Sequence, residues 1–299
     1  MAGKNTIKES LDNKILKVAC YFFVGSFALI CLFPFALMIS SSFMNEKEIV
    51  TEGYKLIPKE FTASAYRFLL RNPKKIIDAY QVTIFITVVG TLLGLFLMSM
   101  AGYVLNRKDF KYRDFFSFFI YFTTLFSGGL IPSYILMVKY LKLKDSIFAM
   151  ILPGVINAWY IFLMRNFMKS VPDSLYESAT IDGAGAFRIY YQIFLPLSIP
   201  ALATIGLFSA LGFWNEWYNA MLYIESPSKY PLQYFLQKTV NQTNVQHLIS
   251  QGVVIDVSEL PTQSIKMATA VVATGPIILL YPFVQRYFIG GLTIGAVKG

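Results

Sequence analysis

The sequence predicts an all-α membrane protein with six transmembrane helices. Of its 299 residues, 56% are hydrophobic, 16% are aromatic and only 14% are charged, which is too apolar for a soluble domain of this size. Apolar runs long enough to cross a bilayer recur six times, with polar segments between them. An even number of spans places both termini on the same side of the membrane.

The predicted spans and their connections form a single transmembrane domain over residues 1–299. The spans are expected at 15–40, 81–105, 114–137, 146–168, 197–224 and 267–289. The first run follows two lysines but is long and lacks a small-residue cleavage site, so we predict that it is retained as a span rather than removed as a signal peptide. Two long excursions, 41–80 and 225–266, lie on the side of the membrane opposite the polar connection 169–196.

The second and third spans contain residues that affect helix packing and helix geometry. Gly90 and Gly94 form a GxxxG pattern, which allows close approach of another helix. The third span carries Thr124 and Ser127 within a run of threonines, glycines and a proline that is expected to interrupt the helix. Because broken helices at membrane depth face a cavity or other protein, Thr124 and Ser127 are candidates for the wall of a translocation path.

The fifth span predicts a second part of that path near its outer end. If it is one continuous helix, Gly212, Asn215, Glu216, Asn219 and Tyr223 fall on a single polar face. The candidate path residues here are Trp214, Asn215, Glu216, Asn219 and Tyr223. Two interpretations stay open: the patch contacts a sugar or gates the path, or it is an aromatic belt with an acid that reaches the interface.

The connection 169–196 is polar although long apolar runs flank it. Pro172, Asp173 and Ser174 form a breaker and capping signal, so a short helix is expected to begin near Ser174. Gly183 and Gly185 then end or turn that helix. A second amphipathic segment follows and runs to a proline, which predicts a short helix held across the membrane face where a soluble partner can bind it.

The spacing of this connection resembles a known motif. Glu177, Ala179, Gly183, Ile193, Leu195 and Pro196 stand as in the cytoplasmic EAA loop of binding-protein-dependent ABC importer permeases. Ser178 replaces the first alanine of the motif, a small residue for a small residue. The Gly-rich end of the chain, with Ala296, Lys298 and Gly299, also resembles the tail of maltose-type permeases. The chain is thus similar to carbohydrate ABC importer permease subunits of the maltose (MalG-like), alginate and complex-oligosaccharide type, especially the LplC/YtcP-like branch.

The resemblance implies a fold, a coupling surface and a docking loop. The fold is the type I ABC importer permease (MetI-like) fold. The residues implied to contact the ATPases are Glu177, Ser178, Ala179, Asp182, Gly183, Gly185, Pro196, Ala296, Lys298 and Gly299. The loop 225–266 is implied to contact the binding protein through Asn241, Asn244, Gln246 and Gln251. An ordinary interfacial loop at 169–196 and a simple lid at 225–266 remain alternatives.

The implied partners supply the energy and the substrate. They are a second, homologous permease subunit that forms a heterodimer with this chain, two ATP-binding subunits and an extracellular solute-binding lipoprotein that delivers a carbohydrate, expected to be an oligosaccharide. The chain has no GxxxxGK[ST] phosphate loop, so ATP and Mg are expected on the ATPase subunits and no cofactor on this chain. We predict no catalytic residues and no metal site, since the one histidine, His247, has no partner ligands nearby in sequence.

The same resemblance decides the predicted location. The 26 lysines and arginines divide equally between the two faces, so their number does not orient the chain, and the net charge of +9 gives no concentrated patch for nucleic acid. A cytoplasmic ATPase partner places the termini in the cytoplasm of a bacterial cell, with the chain as a multi-pass plasma-membrane protein in contact with lipid. The alternatives are the same architecture carrying a peptide or polyol, and a membrane-embedded enzyme or ATP-independent channel.

Overall fold

The computed structural model describes residues 11–71, 73–242, 263–276 and 278. These residues are mostly helical and contain no β-strand; the single β-bridge that they include joins Met44 and Phe61. The chain separates into two compact units, one with the residues up to Arg71 and residues 240–272, and one with residues 72–239 and those from 273 onward.

The first unit contains the N-terminal helix and two short helices. They are α1 Leu11–Ser41, α2 Glu46–Glu52 and α3 Ser64–Leu69. The last helix of the described residues, α15 at 263–276, begins in this unit. The Glu46 carboxylate accepts hydrogen bonds from the backbone N–H groups of Gln263 at 2.8 Å and Ser264 at 3.0 Å, so it caps the start of α15. Helices α2 and α3 both lie in the predicted excursion 41–80.

The second unit is built around one long helix. Its helices are α4 Pro73–Asn106, α5 Arg113–Leu125, α6 Leu130–Ile135, α7 Phe148–Val155, α8 Ala158–Met168, α9 Asp173–Ile181, α10 Ala186–Ile189, α11 Leu195–Leu197, α12 Ile199–Trp214, α13 Tyr218–Tyr223 and α14 Leu232–Gln242. Five-residue π-helical turns follow α6 and α10. Helix α4 begins at Pro73, eight residues before the predicted second span, because proline is well suited to the first turn of a helix.

Small residues allow α4 to pack closely against α7, α8 and α12. A Cβ atom at Gly90 would lie 2.6 Å from the ring of Phe213 on α12, and a Cβ atom at Gly94 would lie 2.9 Å from the carbonyl oxygen of Val155 on α7. A Cβ atom at Gly154 would also meet the Phe213 ring, at 3.0 Å. The predicted close approach at the GxxxG pattern is therefore confirmed.

The third and fourth predicted spans are bent rather than straight, and another bend lies where the fifth predicted span begins. The bends measure 113° between α5 and the helix that begins at Leu130, 47° between α7 and α8, and 80° between the helix Ala186–Leu197 and α12. The first bend confirms the predicted interruption of the third span, where Gly129 has a φ of 85°. Within the described residues, α1 and α4 are long and apolar enough to cross a membrane, and the number is up to five if each bent pair is one span.

The prediction of one polar helical face in the fifth span is wrong. Helix α12 ends at Trp214 and α13 begins at Tyr218, so Asn215 and Glu216 lie outside both helices. The Asn215 amide donates to the Leu211 carbonyl oxygen at 2.9 Å, and the Glu216 carboxylate accepts from the Asn219 backbone N–H at 2.8 Å. These polar side chains bond to the backbone and favour a helix end at this point. The sixth predicted span, 267–289, lies largely outside the described residues.

Candidate functional site

Helix α9 forms an exposed part of the connection 169–196. It begins at Asp173, one residue from the predicted start, and Glu177, Ser178 and Asp182 are exposed. Ala179 is partly buried against a hydrophobic cluster of the second unit. The Glu177 carboxylate makes no hydrogen bond or ion pair within the described residues, whereas Asp173 pairs with Lys108 instead of capping the helix. An acidic side chain is thus available on this exposed helix.

Gly183 ends α9 as the sequence predicts. Its φ of 77° lies in the left-handed region, which glycine adopts without strain. The Gly183 N–H donates to the Thr180 carbonyl oxygen at 3.0 Å and the Ala184 N–H donates to the Ala179 carbonyl oxygen at 2.9 Å. This pair of bonds is the Schellman arrangement of a helix C-terminus. Just before the turn, Ile181 is 85% exposed, so the helix carries an uncovered apolar tip.

The chain returns from this turn through a helix that contains a π turn. Gly185 precedes α10, and the π turn Tyr190–Phe194 leads into Pro196. The ring of a proline clashes with the carbonyl group four residues earlier in a regular α-helix, here that of Gln192. A wider turn relieves this contact, and the Leu195 N–H donates to the Tyr190 carbonyl oxygen across it.

A basic loop holds the N-terminal half of α9, a contact that the sequence analysis missed. The Arg107 guanidinium donates to the Asp109 carboxylate and to the Tyr176 hydroxyl, and it lies 4.8 Å from the centre of the Tyr176 ring. Next to it, Lys108 Nζ is 2.5 Å from Asp173 Oδ2. The hydrogen bond from Arg107 lowers the pKa of the Asp109 carboxyl, and the same hydrogen bond raises the pKa of Arg107. These residues and Glu177 line a cavity of about 170 Å³.

Three of the predicted path residues line a larger cavity. It has a volume of about 500 Å³ and is lined by Ser127, Gly129, Leu130, Ser133, Leu136, Met137, Leu141, Leu152, Pro153, Tyr218, Asn219, Leu222 and Tyr223. The Tyr223 ring stacks on Tyr134 with the ring centres 5.8 Å apart. Aromatic faces with hydroxyl and amide groups provide both apolar contact and hydrogen bonding to a polar ligand.

The other four predicted path residues do not line this cavity. Thr124 donates its hydroxyl hydrogen to the Tyr121 carbonyl oxygen of its own helix. Trp214 is 8% exposed, and its indole N–H lies 3.3 Å from the Ala273 carbonyl oxygen. Asn215 is exposed, and Glu216 caps α13. The cavity therefore depends on the broken third span and on α13 rather than on α12.

Comparison with known proteins identifies the class of the chain. The family described as binding-protein-dependent transport system inner membrane component matches residues 90–293. The chain belongs to this family. The permease is 42% identical over 295 residues, 97% of its length and all of the relative, to the polygalacturonan/rhamnogalacturonan transport system permease protein YtcP of Bacillus subtilis. It is 38% identical to Protein LplC of the same organism over the full length of both.

A solved structure agrees with the fold of the permease. It is the crystal structure of a bacterial ABC transporter involved in the import of the acidic polysaccharide alginate. The TM-score is 0.79 with 33% identity, and the match covers 95% of the permease and all of that chain. The predicted type I importer fold is confirmed. The permease is accordingly a membrane component of a binding-protein-dependent transport system and not itself an enzyme.

Several predicted site residues of the permease lie outside the described residues. They are Asn244, Gln246 and Gln251 in the predicted docking loop, and Ala296, Lys298 and Gly299 in the predicted tail. Asn241 is described and is exposed near the end of α14.

One further group in the permease fixes the loop beside the larger cavity. The Asp145 carboxylate accepts hydrogen bonds from the backbone N–H groups of Glu225 and Ser226 at 3.1 and 3.0 Å, and Lys229 Nζ lies 2.8 Å from it. The hydrogen bonds from Lys229 and Ser226 hold the pKa of Asp145 well below its usual range. Asp145 has a φ of 55°, a left-handed conformation that aspartate and asparagine tolerate better than most residues. No local sequence pattern indicates this contact across 80 residues.

Proposed function

We propose that the permease is the membrane subunit of an ATP-driven importer of carbohydrate, with an oligosaccharide as the substrate. The observation that carries the proposal is the exposed helix α9, on which Glu177 makes no hydrogen bond or ion pair within the described residues and Ile181 forms an apolar tip. The names of the relatives support a carbohydrate. YtcP is named for polygalacturonan and rhamnogalacturonan transport, and the solved transporter for import of the acidic polysaccharide alginate.

In this proposal the connection 169–196 couples the permease to ATP hydrolysis. Glu177 pairs with a basic residue in a groove of a cytoplasmic ATPase subunit, Ser178 and Ala179 lie on the same helix, and Asp182 follows its last residue. Gly183, Gly185 and Pro196 shape the turn and the return, and the tail residues Ala296, Lys298 and Gly299 add contacts. ATP and Mg bind to two ATPase subunits, whose closure pulls on α9 and rearranges the spans.

The substrate side of the proposal has three parts. A second, homologous permease subunit completes a path to which this chain contributes Ser127, Asn219 and Tyr223. An extracellular solute-binding lipoprotein contacts the loop that contains Asn241, Asn244, Gln246 and Gln251. In this proposal the chain crosses the membrane six times, with the termini and α9 in the cytoplasm and this loop outside the cell.

The orientation has its own test. In a variant whose two cysteines are replaced by serine, we expect a cysteine introduced at Ser178 to react with a membrane-impermeant thiol reagent only in inverted vesicles. A cysteine introduced at Ser228, which is exposed in the segment after α13, is expected to react in intact cells. The reverse pattern of labelling would overturn the orientation.

Copurification tests the function as a whole. The permease is expressed with the products of its neighbouring genes, purified through a tag on its N-terminus, and assayed for ATP hydrolysis in vesicles. We expect an ATPase, a second permease and a lipoprotein to copurify, and an oligosaccharide to raise the rate of ATP hydrolysis. Recovery of the permease without any ATPase would contradict the coupling assignment. Stimulation by a peptide or polyol but by no sugar would contradict the carbohydrate assignment.

A further inference from the structure

Two side chains of α4, one helical turn apart, form hydrogen bonds with the helix Ala186–Leu197, which follows the turn at Gly183 and is called the return helix below. Ser99 Oγ lies 2.7 Å from the Tyr190 hydroxyl oxygen, and the Tyr103 hydroxyl donates to the Ala186 carbonyl oxygen at 3.1 Å. Both pairs are four residues apart on each helix, so they lie on matching faces. These contacts join α4 to the return helix at two successive turns.

The first of these bonds is fully buried. Ser99 is 0% exposed and Tyr190 is 2% exposed, inside the largest hydrophobic cluster of the second unit. Ser99 also donates to the Phe96 carbonyl oxygen at 3.0 Å, so its single hydroxyl hydrogen is used there. The Tyr190 hydroxyl is therefore the donor to Ser99. If either partner is removed, a polar group remains buried without a partner, which is unfavourable.

The register of the return helix depends on the same residue. Tyr190 is the first residue of the π turn, and its carbonyl group accepts the hydrogen bond that closes that turn. A rotation of the helix by one residue, about 100°, would turn the Tyr190 side chain away from Ser99. Any axial movement or rotation of the return helix must then either break this bond or move α4 with it.

The opposite end of α4 carries a similar joint. Thr83 is 0% exposed, and its hydroxyl oxygen accepts the backbone N–H of Leu232 at 2.7 Å. Leu232 begins α14, which lies within the predicted docking loop 225–266. The sixteen residues from Thr83 to Ser99 span about 24 Å of helix. Helix α4 therefore connects the return helix to the start of α14 through two buried hydroxyl groups.

We propose that α4 transmits the signal between the substrate-delivery side and the ATPase side, with Ser99–Tyr190 and Thr83–Leu232 as its two joints. The inference rests on the proposed function, because it supplies a route between the two surfaces named there. In this role Tyr190, Ser99 and Thr83 are positioning residues: they contact neither substrate nor ATPase.

The chain provides matched control variants for a test. Tyr190→Phe removes only the buried hydroxyl, and Tyr191→Phe removes an exposed one from the next residue. Thr83→Val removes the acceptor for Leu232, and Thr87→Val removes a buried hydroxyl of the same helix that has no hydrogen-bond partner. Each variant is purified as the complete complex and reconstituted in vesicles. The measured quantity is the stimulation of ATP hydrolysis by the sugar-loaded binding protein, per assembled complex.

We expect Tyr190→Phe and Thr83→Val each to lower this stimulation by about two- to tenfold, the effect of one lost hydrogen bond. Tyr191→Phe and Thr87→Val are expected to match the wild type. Ser99→Ala should reproduce Tyr190→Phe, and the double variant should lose no more than either single one, because both act on the same bond. If Tyr190→Phe fails to assemble, Ser99→Ala and Thr83→Val decide the test.

The result separates the proposed function from the role of α4. If wild-type complexes show no stimulation by any sugar, the proposed function is contradicted. If wild-type complexes respond and the joint variants respond equally well, the proposed function stands and the role of α4 is overturned.

Discussion

At the scale of single residues, the acidic side chains of α9 differ in their contacts. Arg107, Lys108 and Asp173 form ion pairs around the helix, while Glu177 forms none within the described residues. The sequence could predict Glu177, since it belongs to a spaced motif. It could not predict the pairing of Arg107 with Tyr176, because these residues are 69 positions apart and neither belongs to a local pattern.

Replacement of Glu177 tests the coupling surface. We expect Glu177→Ala to lower sugar uptake by about tenfold, through the loss of one charge-assisted contact, with little change in the thermal stability of the permease. Uptake and ATP hydrolysis are measured in the same vesicles. Glu60→Ala, which removes another exposed carboxylate, is the control. Normal uptake by Glu177→Ala would contradict the assignment of Glu177 to the coupling surface.

Asp145 predicts a dependence of stability on pH. Its folded-state pKa lies below the usual value, so its contribution to stability is fully present above about pH 4 and is lost as the pH falls through the folded pKa. Asp145→Asn keeps the left-handed backbone preference but removes the charge. We expect its Tm to be lower than that of the wild type by about 2–4 °C at neutral pH, the shift typical of 1 kcal/mol.

Measurements in acid separate the effect of the Asp145 charge on stability from the effect of its side-chain shape. Thermal unfolding in detergent is followed at neutral pH and at about pH 3, below the ordinary pKa of aspartate. The difference between wild type and Asp145→Asn should narrow in acid, because the carboxyl group of the unfolded wild-type chain takes up a proton at a higher pH than the folded one, which removes part of the stabilisation. A difference that stays constant with pH would show that the charge of Asp145 does not contribute.

At the scale of elements, the sequence predicted where helices occur better than where they are continuous. The start of α9, its turn at Gly183 and the interruption near Gly129 were all predicted, because glycine and proline act locally on the backbone. The end of α12 at Trp214 was not predicted. Gly212 lies inside α12, no glycine or proline stands between Trp214 and the start of α13, and the predicted span continues to residue 224. The Asn215 amide instead donates to the Leu211 carbonyl oxygen and the Glu216 carboxylate accepts from the Asn219 N–H, and these local hydrogen bonds favour the helix end.

Packing of α4 against α12 gives a prediction about one glycine. Gly90→Ala places a methyl group 2.6 Å from the Phe213 ring, so we expect destabilisation by about 1–3 kcal/mol through overpacking. Gly212→Ala is the control, because a Cβ atom there meets nothing within 4 Å. Stability is measured by thermal unfolding in detergent. Combining Gly90→Ala with Phe213→Leu should recover part of the loss, and no recovery would argue against the ring as the cause.

At the scale of the whole molecule, the proposed function makes the permease depend on partner subunits for energy. It contains no phosphate-binding loop, so we expect the purified permease alone not to bind a fluorescent ATP analogue. The assembled complex should bind it, and the ATPase subunits alone should bind it equally well. Binding by the isolated permease would contradict the assignment of ATP to the partners.

The composition and the apolar runs were sufficient to predict a helical membrane protein, because the bilayer requires long apolar helices. The larger cavity was predicted only in part. Ser127, Asn219 and Tyr223 line it, but Trp214 turned inward to bond with Ala273. The orientation of Trp214 depends on which helices become neighbours. Trp214 and Ala273 are 59 positions apart, so no periodic pattern in the sequence indicates their hydrogen bond.

The Phe213 ring fits between two glycines that belong to different helices, Gly90 on α4 and Gly154 on α7. Three positions far apart in the sequence thus share one fixed volume. During evolution none of them is free to enlarge alone, and related permeases should change them in concert. A relative with alanine or serine at either glycine position is expected to carry a smaller side chain where this chain has Phe213.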